Sequence, residues 1–253
     1  MTTEARTKKI QPSFRAKPTI AVYLVAAALT VSTSASTRYV IGPTDGGWYR
    51  SDGFHDGTRT DRFATNYLVG NIISDGVPRV NRNFFVFDLP DTNENIQSAQ
   101  LELLNLAGGF RSLDPSETFT LYAVSTPIAA LTAGGSDLTT IYDDLGDGVQ
   151  YGSGTITSAS GFLSIDLNAD FIATARAATG GLIALGGALI SLDGNSRTEE
   201  YAFGFSTLSN IGTTRLVLTT IPEPSAGALL GLIGIRLAMV RRKRPANLLG
   251  APN

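Results

Sequence analysis

Short strand-like runs recur through the middle of this chain, and each is closed by turn residues before it is long enough for a helix of several turns. They are RYVIG (38–42), RNFFVFDL (82–89), SAQLELLNL (98–106), ETFTLYAV (117–124), VQYGSGTIT (149–157), GFLSIDL (161–167), LIALGGALIS (182–191), YAFGFS (201–206) and TRLVLTT (214–220). Several alternate with period two: Leu101, Leu103 and Asn105 share one face, and Phe119, Leu121 and Ala123 share another. Many short strands separated by Gly, Asp and Asn predict an all-β fold, an antiparallel β-sandwich. One stretch breaks the pattern. NADFIATARAATGG starts with Asn168 as an N-cap and Asp170 in the first turn, repeats Phe171, Ile172, Ala175 and Ala178 at helical spacing, and stops at Gly180 and Gly181. It predicts one short helix across an end of the sandwich. No internal repeat or solenoid period is present.

Both ends differ from this middle. Residues 1–18 carry Arg6, Lys8, Lys9, Arg15 and Lys17 against Glu4 alone, and the apolar run TIAVYLVAAALTV follows at 19–31. A run of 13 residues is short for a membrane span, which needs roughly 20. The small residues STSAS then put Ser34 and Ser36 at the −3 and −1 positions of a cleavage site before Thr37. This order predicts a signal peptide over 1–36, engaging the general secretion machinery and signal peptidase. At the other end, Ser225 to Val240 is apolar apart from Arg236, and a helix there would be about 24 Å long, a minimal transmembrane span. Arg236 lies near enough to the cluster Arg241, Arg242, Lys243 and Arg244 to snorkel to the same interface. That cluster stops transfer and stays cytoplasmic, which puts residues 37–220 outside the inner membrane.

With both ends set aside, residues 37–220 hold ten arginines and no lysine against twenty carboxylates, a net charge of about −10. Such a domain repels nucleic acid and anionic lipid, so no nucleic-acid partner is expected. The absence of cysteine excludes disulfides, thiolate metal sites and cysteine nucleophiles. One domain of this length can bury a sizeable core without such staples.

The segment IPEPSAGALLGLIGIRLAMVRRKR, with Pro222-Glu223-Pro224, a small-residue-rich apolar stretch at 225–240 and basic residues at 241–244, resembles the PEP-CTERM protein-sorting signal. The signal segment is 221–253, with residues 245–253 as a tail. The resemblance implies an exosortase, a membrane-embedded cysteine transpeptidase, that removes the end near Pro222 to Pro224. The ectodomain would then pass to the cell surface or exopolysaccharide matrix of a Gram-negative bacterium. Two prolines around Glu223 continue neither helix nor ladder, so the motif should be extended and exposed. The middle is similar, more loosely, to a β-sandwich ectodomain of many PEP-CTERM proteins, through FFVFDLP, IQSAQLEL, ETFTLYAVSTPIAAL, IYDDLGDGVQYGSGTI, LNADFIATARAATGGLIALGGAL, FGFS and TRLVLT. That likeness implies a jelly-roll-like module and no established activity.

Candidate chemistry in the middle is sparse. His55 is the only histidine; no G-x-S-x-G nucleophile elbow accompanies it, and a solvated loop residue is the expectation. Asp143, Asp144 and Asp147, in YDDLGDGVQYGSG, are hard oxygen ligands that calcium could use, although Leu145 and Gly154 stand where an EF-hand needs ligands. An Asp-Gly turn leading into a strand is the preferred reading there. Trp48, Tyr49 and Phe54 could form a sugar-stacking platform, but core or edge packing is the preferred reading. Twenty acids offer many carboxylate pairs for a glycosidase and select none. The expectation is therefore a non-catalytic exported protein without cofactor. A carbohydrate-binding module, a glycan-acting enzyme and a permanently anchored membrane protein stand as alternatives.

Overall fold

The computed structural model describes residues 35–56, 66–195, 197–204 and 213–222. The expected signal run at 19–31 and everything from Glu223 onward, the apolar stretch and basic cluster included, lie outside the described residues. Among the described residues, no helix is long and apolar enough to cross a membrane.

The elements in chain order are β1 (Thr37–Ile41), β2 (Pro43–Arg50), β3 (Val69–Ser74), β4 (Val77–Asp88), β5 (Asn95–Asn105), β6 (Ser116–Ala123), α1 (Ile128–Leu131), α2 (Thr139–Asp147), β7 (Gln150–Thr157), β8 (Gly161–Leu167), α3 (Ala169–Ala177), β9 (Leu182–Leu189), β10 (Glu200–Ala202) and β11 (Thr214–Ile221). They make two antiparallel sheets. One has four strands in the order β1-β11-β5-β8; the other has seven, in the order β10-β3-β4-β9-β6-β7 with β2 added on β4. The fold is all-β in class, as the alternating runs predict, with few helices.

Between the sheets lies one core, built from Phe85 and Phe87 of β4, Leu101 and Leu103 of β5, Phe119 and Leu121 of β6, and Leu216 and Leu218 of β11. A second, smaller core lies on the other side of the seven-stranded sheet. There Tyr49, Phe84, Val86 and Ala184 meet Leu131 of α1 and Ile141, Tyr142 and Leu145 of α2. This explains why NFFVFD reads as a continuous apolar run: β4 is buried on both faces, and a strand with two dry faces has no reason to alternate. Glycine makes the second core possible. A Cβ on Gly186 would sit 2.7 Å from the Leu145 main chain, so the bare backbone of β9 lets α2 lie close.

The helix after β8 forms as the sequence predicts. Asn168 Oδ1 accepts from the amides of Asp170 and Phe171, and Phe171 and Ala175 are fully buried in the main core. Two strands and two helices arise outside the nine strand-like runs. β2 contains Pro43, Gly46 and Gly47, and its glycines lie opposite Phe85 and Phe84 of β4. β3 joins β4 through Asp75-Gly76, whose φ angles of 52° and 75° are those of a two-residue type I′ turn.

The first and last strands are neighbours. β1 pairs with β11 so that Thr37 faces Thr220, and Glu94 accepts from both hydroxyls, at 3.0 Å from Thr37 Oγ1. β11 itself is inserted between β1 and β5.

Candidate functional site

β2 sends Tyr49 and Trp48 to opposite faces, as any strand must. Tyr49 is fully buried, donates its hydroxyl to the Leu131 carbonyl at 2.8 Å, and stacks on His55 with ring centroids 4.5 Å apart. Burial pushes its phenol up to about 12. Tyr49 is therefore a core residue, in keeping with the packing reading of Trp48, Tyr49 and Phe54, and is not part of a surface platform.

His55 is likewise not a solvated loop residue. It is 5% exposed, its main chain bridges to Gly135, and its ring meets Phe84 edge-on at 5.3 Å. Nδ1 donates to the Trp48 carbonyl at 2.8 Å, since a carbonyl can only accept. Desolvation lowers its pKa, outweighing the Trp48 bond and the charges of Asp45 and Asp56, which favour the proton. A neutral imidazole packed on two rings is a wall of the second core.

Past β2 the chain makes a tight loop. Gly53 N donates to Arg50 O at 2.7 Å and Arg50 N to Phe54 O at 3.0 Å. At Gly53 (φ 79°) a Cβ would fall 2.3 Å from Leu138 N, so only glycine lets the loop press against the start of α2. Arg50 grips Asp52 with two bonds of 2.7 and 2.6 Å and lies 4.6 Å over the Phe54 ring. The hydrogen bond from Arg50 holds the Asp52 carboxyl below its ordinary value. Phe54 and the half-buried Trp48 stand 6.4 Å apart at 43°, an aromatic corner rather than a flat platform.

On the same loop, Ser51 N donates to Val80 O at 2.8 Å. Beside it opens a cavity of about 230 Å³ with Pro78, Val80 and Leu192 as apolar walls and Ser51 and Asn71 as polar groups. Asn71 is 7% exposed. Its Nδ2 donates to the carbonyls of Asn195 (3.3 Å) and Thr198 (2.8 Å), while Oδ1 has no partner. A second cavity of about 220 Å³ touches Arg111, Arg197 and Glu199, and Arg111 is paired with Glu199 at 2.5 Å. Neither cavity was legible in the sequence, because their residues come from strands and loops that only the fold assembles.

Asp143, Asp144 and Asp147 lie on α2, not on a turn. Asp144 accepts from the main-chain amides and hydroxyls of Ser125 and Thr126, at 2.6–3.1 Å. Burial raises the Asp144 carboxyl, but these bonds more than reverse it, and its pKa lies below the ordinary value. Asp143 faces Arg82 at 3.9 Å, and Arg82 also lies 4.4 Å over the Tyr142 ring. A helix commits its main-chain carbonyls to its own ladder, so it lacks the carbonyl ligands a calcium loop supplies. Among the described residues, no group of three or more His, Asp or Glu side chains is placed to hold a metal ion.

Of the sorting motif, Pro222 is the last described residue and directly follows β11, while Glu223 and Pro224 lie outside the described residues. No family model and no curated protein matches this chain.

Proposed function

We propose that this chain is an exported, non-catalytic surface or exopolysaccharide-matrix protein. Its β-domain is delivered by a signal peptide over 1–36, held in the inner membrane by a helix at 225–240 with its C-terminus in the cytoplasm, and released or transferred by an exosortase. One observation carries the reading. Among the described residues the first strand begins at Thr37, directly after Ser36, and the last ends at Ile221, directly before Pro222. Cutting at either point removes none of the described core residues, and Pro222 follows the last ladder directly. The burial of His55 as a neutral packing residue supports the non-catalytic side of the reading.

The test is the mass of the surface form in an exosortase-bearing host. The wild-type chain should end near residues 222–224. With Pro222, Glu223 and Pro224 all changed to alanine, it should remain full length and membrane-bound. Unchanged processing of the triple variant overturns the sorting reading, and an uncut wild-type chain favours permanent anchoring.

A further inference from the structure

We infer that the cavity beside Ser51 binds one neutral pyranose unit of a polysaccharide chain. This deepens the surface-matrix reading and rests on it only for where the ligand is met. The walls are the first consideration. Pro78, Val80 and Leu192 offer apolar surface, and a pyranose presents an apolar C–H face rimmed by hydroxyls. Size is the second: about 230 Å³ is below the ~300–1,000 Å³ of pockets for drug-sized molecules, which suits a single ring.

Hydrogen bonding narrows the class further. Asn71 Oδ1 is a buried acceptor without a donor, a state that is unfavourable until something supplies a proton to it. Ser51 Oγ accepts from Val80 N at 3.4 Å and keeps its own proton to give. A hydroxyl-bearing ligand can accept from Ser51 Oγ, and can donate to Asn71 Oδ1 once that buried atom turns toward the cavity its residue lines. Charge favours an uncharged ligand: the residues lining the cavity are neutral, and the adjacent Arg50 and Asp52 are paired with each other. The net charge of about −10 over residues 37–220 disfavours a phosphate or uronate.

Isothermal titration calorimetry on the full chain, held in a non-glycosidic detergent, tests the inference with dextran, mannan, galactan and cellohexaose as neutral probes and alginate as the charged one. At least one neutral probe should give saturable heat, unaffected by a chelator. Ser51→Trp, on an exposed loop position, should weaken that binding at least tenfold by filling the mouth, and Asn71→Leu should do the same by removing the acceptor. No heat with any neutral probe, undiminished binding by Ser51→Trp, or preference for alginate overturns the inference. Loss of C-terminal processing with sugar binding intact would overturn the sorting reading alone; the converse result would overturn this inference alone.

Discussion

Asp144 shows how one side chain can hold two elements in register. From the middle of α2 it gathers four donors of Ser125 and Thr126, the residues that lead from β6 into α1. Those amides would otherwise be left to solvent, as at an uncapped helix end. Asp144→Ala should lower stability at neutral pH by about 1–2 kcal/mol. The sign of its pH dependence follows from the lowered pKa. The contribution is complete above the ordinary carboxyl value of 3.8 and is lost as the pH falls through the lower folded value. Urea titrations should therefore show wild type and variant converging at acid pH; a constant gap would place the effect elsewhere. The residue scale is also where sequence reasoning was weakest. It grouped Asp143, Asp144 and Asp147 correctly in the chain, but what they do depends on Ser125, Thr126 and Arg82, which only packing brings near. Trp48 and Tyr49 are adjacent in sequence and face opposite sides of the sheet, so chain proximity joined what the strand separates.

At the scale of elements, the approach of α2 to β9 is the contact most sensitive to a single methyl group. Gly186→Ala would drive a Cβ to 2.7 Å from the Leu145 main chain, and backbone cannot step aside as a flexible side chain can. The expected loss is about 1–3 kcal/mol, read as an earlier denaturant midpoint with the second core loosened. A midpoint unchanged from wild type would mean α2 slides without cost. Elements whose own residues alternate, such as β5, β6 and β11, were legible from their pattern alone. α2 was not: Thr139, Thr140, three aspartates and Gly146 are poor helix formers, and it is helical because Ile141, Tyr142 and Leu145 are buried against the sheet. β2 was hidden by its proline and glycines in the same way, since its strand character comes from β4. The Asp75-Gly76 turn was legible in principle, being the ordinary signal of a two-residue hairpin.

The β-domain is an asymmetric pair of sheets, the seven-stranded one packed against α1 and α2 and the four-stranded one joining β1 to β11. Because Thr37 stands opposite Thr220, their Cα atoms are about 4.5–5.5 Å apart, as in any antiparallel pair. A linker of about four residues, reaching up to ~14 Å, would join Ile221 to Thr37, and new termini could be opened at the exposed Asp75-Gly76 turn. Such a circular permutant should keep the native fold by circular dichroism and refold faster in stopped-flow experiments, since the β1–β11 contact becomes local. Slower refolding would show that this closure is not limiting. The insertion of β11 between β1 and β5 also has a temporal meaning. On the export route proposed above, β1 would emerge with β11, its partner among the described strands, still some 170 residues behind it, so the four-stranded sheet could not be completed until nearly all of the domain had crossed. Folding would then be triggered by arrival of the final strand, tying the maturity of the domain to the moment its tail reaches the membrane.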